Sequence, residues 1–223
     1  MGASGGFPID LVLFGMVAAF LVLRLRGILG KRQGFERPAQ PAQQAPLRPA
    51  PGPVIDAKAE PPVTPTAQTM PDAASPTGQA LAQMRAIDPT FDPSRFLAGA
   101  DQAFRMIVAA FAAGNRVALR PLLGDETYAA FEQAISAREK AGETQFSEIK
   151  SMHHLSIDSA ELKGRVGLVT ARIVSDQISY THDKNGRPLT GTDAVTEITD
   201  LWTFERDLSQ QDPTWRLVAA RSG

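Results

Sequence analysis

Asp200 is placed where a carboxyl would matter chemically. It shares the parity of Ile198, Trp202 and Phe204 in an alternating run, so a strand there turns it toward an apolar face. Burial would disfavour its charged form unless a cation pairs with it. Arg172, on what reads as the neighbouring strand, is the expected cation for Asp200 or for Glu197, according to register. A buried structural pair that fixes the hairpin is the reading adopted. The alternatives are a general acid or base, and a carboxyl that orients the polar headgroup of a ligand. The acid–base alternative has no second catalytic group at a suitable spacing.

The three histidines and the absence of cysteine limit metal chemistry. Thiolate zinc sites, iron–sulfur clusters and disulfides are excluded. His153 and His154 are adjacent, and neighbours on a regular strand point to opposite faces, so they share an ion only across a bulge. His182 offers no ligand spacing. Surface or half-buried histidines are therefore expected, with no metal and no cofactor. Lys and Arg number 23 against 24 Asp and Glu, a formal net charge of -1. That balance lacks the basic surplus of a nucleic-acid binder.

These side chains need elements to hold them. Asp92-Pro93-Ser94 starts a helix whose apolar positions are Phe96, Ala100, Phe104, Ile107, Val108 and Phe111. Gly114 ends it, and Asn115 caps a short helix that Pro121 stops. Gly124-Asp125 opens a third helix, with Tyr128, Phe131 and Ile135 apolar and Gly142 closing it. Its end, Ser136 to Lys140, reads as a charged stretch that needs only solvent.

Strand-like runs follow at 146–160, 166–180, 195–204 and 215–220. Asp183 to Gly186 (DKNG) marks a hairpin, and Pro188 and Gly191 suggest a longer, bulged loop after it. Helices first and antiparallel strands after them predict an α+β fold, with N-terminal helices packed on a curved antiparallel sheet. The space between these layers is where a lipid or acyl chain would fit. Phe104, Ile107, Phe111, Ile198, Asp200, Trp202 and Arg172 are the candidate lining residues, and plain core packing is the alternative for the helical three.

The first 91 residues have another character. Leu11 to Leu23 is an uncharged apolar run, presenting Leu11, Phe14, Val17, Phe20 and Leu23. Extended from Phe7 to Leu25 it approaches the ~20 residues that cross a hydrocarbon core. A signal peptide would carry its positive charge first. Here the basic residues Arg24, Arg26, Lys31 and Arg32 come after the run, which predicts an uncleaved single-pass anchor in the lipid bilayer. Its N-terminus would face out and the rest would face the cytoplasm. Pro38 to Pro76 holds eleven of the 17 prolines and no aromatic residue, a composition that predicts a disordered, extended spacer. Loose PxxP matches within it are nearly inevitable in such a composition. The expected organisation is an anchor over 1–30, a linker over 31–91 and a domain over 92–223.

The domain resembles the Tim44-like family. The residues that carry the resemblance are FLAGADQAFRMIVAAFAAGN (Phe96 to Asn115), LRPLLGDETYAAFEQAISAREKAG (Leu119 to Gly142) and VTARIVSD (Val169 to Asp176). DKNGRPLTGTD (Asp183 to Asp193), ITDLWTFERD (Ile198 to Asp207) and DPTWRLV (Asp212 to Val218) continue it in order. The anchor and Pro/Ala-rich linker also look like the layout of the bacterial TimA-type adaptors. The resemblance implies a cone related to the nuclear-transport-factor-like fold, with a large apolar pocket. It also implies a non-enzymatic adaptor at a bacterial inner membrane, whose partner is a translocon, an insertase or a chaperone. In the mitochondrial adaptor, much of the contact with the seventy-kilodalton heat-shock chaperone and the channel lies ahead of this domain. Here an anchor and a spacer stand in that place.

Overall fold

The computed structural model describes residues 67–222. A short strand β1 (Ala67–Thr69) precedes four helices: α1 (Pro76–Ile87), α2 (Pro93–Ala112), α3 (Arg116–Leu119) and α4 (Asp125–Ala141). Strands β2 (Thr144–Lys163), β3 (Val166–His182), β4 (Pro188–Asp207) and β5 (Arg216–Ser222) follow. The sheet runs β1-β2-β3-β4-β5; β2 to β5 form an antiparallel meander, and β1 adds in parallel to the β2 edge. The fold is the expected α+β arrangement of helices on an antiparallel sheet. The expected anchor, its basic flank and the linker up to residue 66 lie outside the described residues. No described helix is long and apolar enough to cross a membrane.

The caps explain where the helices begin and end. The Asp92 carboxylate accepts from the Arg95 N–H at 2.8 Å, and the Asn115 side chain accepts from the Ala118 N–H at 3.0 Å. Gly142 terminates α4 at φ 70°, the left-handed region that glycine enters without a Cβ penalty. Pro188 and Gly191 lie inside β4 instead of extending the turn. Gly191 has φ +82°, and a Cβ there would come within 2.1 Å of the Ser179 carbonyl oxygen, so the strand passes this point only as glycine. The bulge expected here comes just after it, where Gln177 pairs with Thr196 but Ser179 pairs with Thr192.

The domain starts earlier than residue 92. Ser75 accepts from the Gly78 N–H at 3.0 Å and Pro76 occupies the first helical position, so α1 forms within the span expected as linker. Leu81, Met84 and Phe91 from this stretch are buried in the common core. Asp88 caps the end of α1. Its carboxylate accepts from the Thr90 hydroxyl and N–H at 2.6 and 2.9 Å, and it pairs with Arg206 of β4 at 2.9 Å, both side chains 10% exposed.

On the sheet, the inward face of β3 alternates without a break, with Val169, Ala171 and Ile173 fully buried. Its neighbour β2 shifts register three times, at Ile149/Ser151, Met152/His154 and Ile157/Ser159. Each shift inserts a residue and bends the strand, so β2 wraps around the helices that lie on it. The aromatic contacts run between layers: Phe104 meets Trp202 at 4.6 Å between centroids, and Phe96 meets Phe204 at 5.9 Å and Trp215 at 5.0 Å. All are edge-to-face, the arrangement favoured by the ring quadrupoles.

A chain starting at residue 92 loses the burial of Leu81, Met84 and Phe91. It is expected to be less stable than a chain starting at residue 67 by about 5 kcal/mol, measured by urea unfolding. Arg206→Met is expected to cost about 2 kcal/mol at neutral pH by removing the partner of a buried carboxylate. The bonds from Thr90, and then the Arg206 charge, hold the Asp88 carboxyl below its ordinary value of 3.8. Stability from a depressed carboxyl is present above the unfolded value and lost as pH falls through the folded one. The gap between Arg206→Met and the parent should therefore narrow as pH falls below 3.8, which unfolding curves at several pH values would measure.

Candidate functional site

The inward row of β3 changes chemistry along its length. After Val169, Ala171 and Ile173 come Ser175, Gln177, Ser179 and Thr181, so one end of the interior is apolar and the other polar. The apolar end is filled by α2, whose Phe104 and Ile107 are fully buried there with Trp202. These three candidates for pocket lining are packed core.

At the boundary lies Asp200. It pairs across the ladder with Ile173, is fully buried, and accepts a hydrogen bond from Gln177 Nε2 at 2.9 Å. The same Gln177 nitrogen donates to Ser175 Oγ at 3.0 Å. Arg172 is not the partner expected for this carboxyl. It stands opposite Leu201, one position out of parity with Ile173, and is exposed on the outer face. Glu197 lies opposite Asp176, so the alternative pairing with Arg172 is also replaced. Ile198 is half-buried opposite Ser175. An amide thus does the work expected of a guanidinium, holding a carboxyl inside the sheet through hydrogen bonding.

Beyond Gln177 the layers separate around a cavity of about 520 Å³. Its wall includes Phe111 from α2, Arg138 from α4, Gln145 from β2, Ser179 and Thr181 from β3, and Thr190 from β4. Of the seven expected lining residues, Phe111 alone reaches it. Arg138 belongs to the stretch expected to need only solvent, yet its Nη2 donates to the carbonyl oxygens of Phe111 and Ala112 at 2.8 and 3.1 Å. The Phe111 carbonyl also accepts from the Gly114 N–H at 3.1 Å, so Arg138 chiefly supplies the donor that the Ala112 carbonyl lacks at the end of α2. The guanidinium also donates to the Gln145 side chain and lies 5.2 Å from the Phe111 ring centroid.

Burial pulls the Arg138 pKa below its ordinary value, though Glu139 and Glu143 oppose the shift. An arginine stays protonated in a protein, so the cavity carries a fixed positive charge in its wall. Gln145 Nε2 continues the chain of bonds to Ser147 Oγ at 3.3 Å, and Ser147 and Ser179 share a bond of 3.0 Å. Thr190 Oγ1 is buried with no hydrogen-bond partner among the described residues, so a cavity guest could bond to it. The sequence signal for this wall is the Ser175, Gln177, Ser179, Thr181 row, which keeps the parity of the apolar core positions before it.

The outer face shows one more departure. Met152 and Leu155 are both buried, and the bulge between them leaves His153 exposed and His154 half-buried. The regular alternation assumed for this pair does not apply. His153 Nε2 lies 2.8 Å from Asp176 Oδ2.

Removing the Gln177 amide takes a donor away from a buried carboxyl. Gln177→Leu is expected to cost about 2 kcal/mol in urea unfolding, and Arg138→Met a similar amount by freeing the Ala112 carbonyl and the Gln145 side chain. Arg172→Ala, on the outer face, should stay within about 0.5 kcal/mol of the parent.

A comparison with curated proteins finds no match. Among solved structures, the intermembrane space region of the chloroplast protein ARC6 is similar at 16% identity and a TM-score of 0.44, covering 60% of this chain and 98% of that one. A putative dehydratase of the NTF2-like family from Streptomyces avermitilis is similar at 13% identity and a TM-score of 0.35, covering 58% and 97%. Likeness of this degree carries nothing about activity. The sequence match is more informative: residues 77–222, from the second residue of α1 to the end of β5, match the Tim44-like domain. The chain belongs to the Tim44-like domain family.

Proposed function

We propose that this protein is a membrane-anchored, non-enzymatic adaptor that brings a protein partner to the cytoplasmic face of a bacterial inner membrane. The observation that carries the reading is the uncharged run Leu11 to Leu23, followed by Arg24, Arg26, Lys31 and Arg32, ahead of a Tim44-like domain. That order of apolar and basic residues favours a single-pass anchor with the domain inside the cell. The Pro-rich stretch from residue 38 to the start of β1 would set the domain's reach, and anchoring would raise its local concentration at the membrane without any added contact. A translocon, insertase or chaperone subunit is the partner this arrangement suits. Phe146, stacked on Tyr180 with centroids 5.0 Å apart and 41% exposed, is a suitable place for a photocrosslinker.

A lipid or other amphiphile in the interior is a second reading, which the cavity beside Arg138 supports. Its volume lies within the range of small-molecule sites. Phe111 and Leu189 supply apolar wall, and Arg138 and Glu143 with Thr181 and Thr190 supply a charged, hydroxylated one.

The full chain is expected to fractionate with membranes and resist carbonate extraction, and a chain starting at residue 67 to remain in the soluble fraction. Crosslinking from position 146 in cells should then trap translocation or chaperone subunits with the full chain alone. Equal recovery by the two chains would remove the anchor from the mechanism. Native mass spectrometry that releases a lipid from the parent, but not from Arg138→Met, would favour the second reading.

A further inference from the structure

A histidine and two carboxylates meet on the outer face of the sheet, away from the interior cavity. His153, Asp176 and Glu197 each offer one ligand atom, and these atoms all lie within 4.8 Å of one another. They come from three successive strands. Asp176 of β3 pairs in register with Ser151 of β2 and with Glu197 of β4, so the ladder itself sets the two carboxylates side by side. His153 joins them because it is the inserted residue between Met152 and His154, and the bulge aims its ring across the strand at Asp176.

The donor set has a definite chemical preference. An imidazole with two carboxylates suits a divalent first-row cation, whereas magnesium and calcium prefer oxygen alone. Around a tetrahedral ion with bonds of about 2.1 Å, ligand atoms sit about 3.4 Å apart. The 2.8 Å between His153 Nε2 and Asp176 Oδ2 is thus close to the required spacing, and small side-chain rotations would bring the third ligand in. Support for the ligands is also present: the Ser151 hydroxyl donates to Asp176 Oδ2 at 2.8 Å, orienting the carboxylate. Two carboxylates and one imidazole gathered this closely offer a divalent cation three donors. Lys150, on the same stretch of β2, is engaged by Glu148 at 2.7 Å.

We infer that His153, Asp176 and Glu197 form a binding site for a zinc-class divalent cation, clamped across β2, β3 and β4 on the outer face. The ion would tie three strands together and leave its remaining coordination open to water or to an incoming carboxylate or imidazole.

The test is a Zn2+ titration of the full chain, stripped with chelator and held in detergent, in competition with a chromogenic chelator. One Zn2+ per chain is expected, with Ca2+ and Mg2+ failing to displace it. His153→Ala and Glu197→Gln should each weaken binding by about tenfold or more, and Ser151→Ala by about tenfold, the usual effect of losing a supporting hydrogen bond. His154→Ala should bind as the parent does. Co2+ substituted for Zn2+ should give visible absorption bands that disappear in His153→Ala. His153 and Glu197 are exposed, so circular dichroism should show both variants folded. No saturation by millimolar Zn2+ would overturn the site. Equal affinity in the parent, His153→Ala and Glu197→Gln would overturn it as well, leaving only a histidine–carboxylate ion pair.

Discussion

β3 alternates inward and outward from Val166 to His182 without interruption, and its neighbours on both sides adjust to it. Because the side-chain period of a strand is two, a slip of one residue would turn every inward side chain to solvent. The register is therefore held by the face that is buried. Val169, Ala171 and Ile173 meet the helices, and this choice commits Ser175, Gln177 and Thr181 to the same side. The polar end of the interior is thus a consequence of the apolar end. Once the core chooses the parity of β3, the chain must provide partners for every polar group that parity brings inside.

The way those partners are found separates the two ends. Aromatic side chains of α2 close the apolar end by contact with Trp202 and Phe204. At the polar end a single amide, Gln177, serves both Ser175 and Asp200, and Arg138 satisfies the last carbonyls of α2. A buried carboxyl left without such donors would cost more than any one apolar contact supplies. The end of α2 has the same need for donors, and α4 carries a cation back to it in the wall of the cavity. Arg138 is at once a helix cap and part of the cavity wall, so removing it disturbs both.

The helices were largely legible in the sequence because their signals are local. Asp92, Asn115 and Gly142 act on residues within one turn, and each does so in the structure. The helix α1 was hidden because only Leu81 and Met84 within it are buried, and because Pro76 follows many linker prolines. The signal was there in Ser75-Pro76, a cap followed by proline at the first helical position. The pairing of Asp200 was not legible for a different reason. Parity within β4 is a local property, but which residue of β3 stands opposite depends on the turn and on the bulge between Thr192 and Thr196. Ile173, not Arg172, faces Asp200, and no local pattern distinguishes these two registers. The same holds for His153 and His154. Their alternation is broken by the pairing of β2 with β3, which becomes visible only when both strands are in place.

The bulges of β2 link the interior to the outer surface. A sheet that wraps around helices needs one strand to gain length on its outer side, and an inserted residue supplies it. Each insertion leaves two consecutive residues between inward ones: Lys150 and Ser151, His153 and His154, Asp158 and Ser159. All six are polar, as outward positions exposed to water require. Curvature demanded by the core therefore places extra polar side chains on the outer face, opposite the regular outward row of β3. Asp176 belongs to that row, and it is bracketed by Ser151 and His153 from two successive bulges. The cluster on the outside is thus made by the same deformation that lets the sheet close over α2 on the inside.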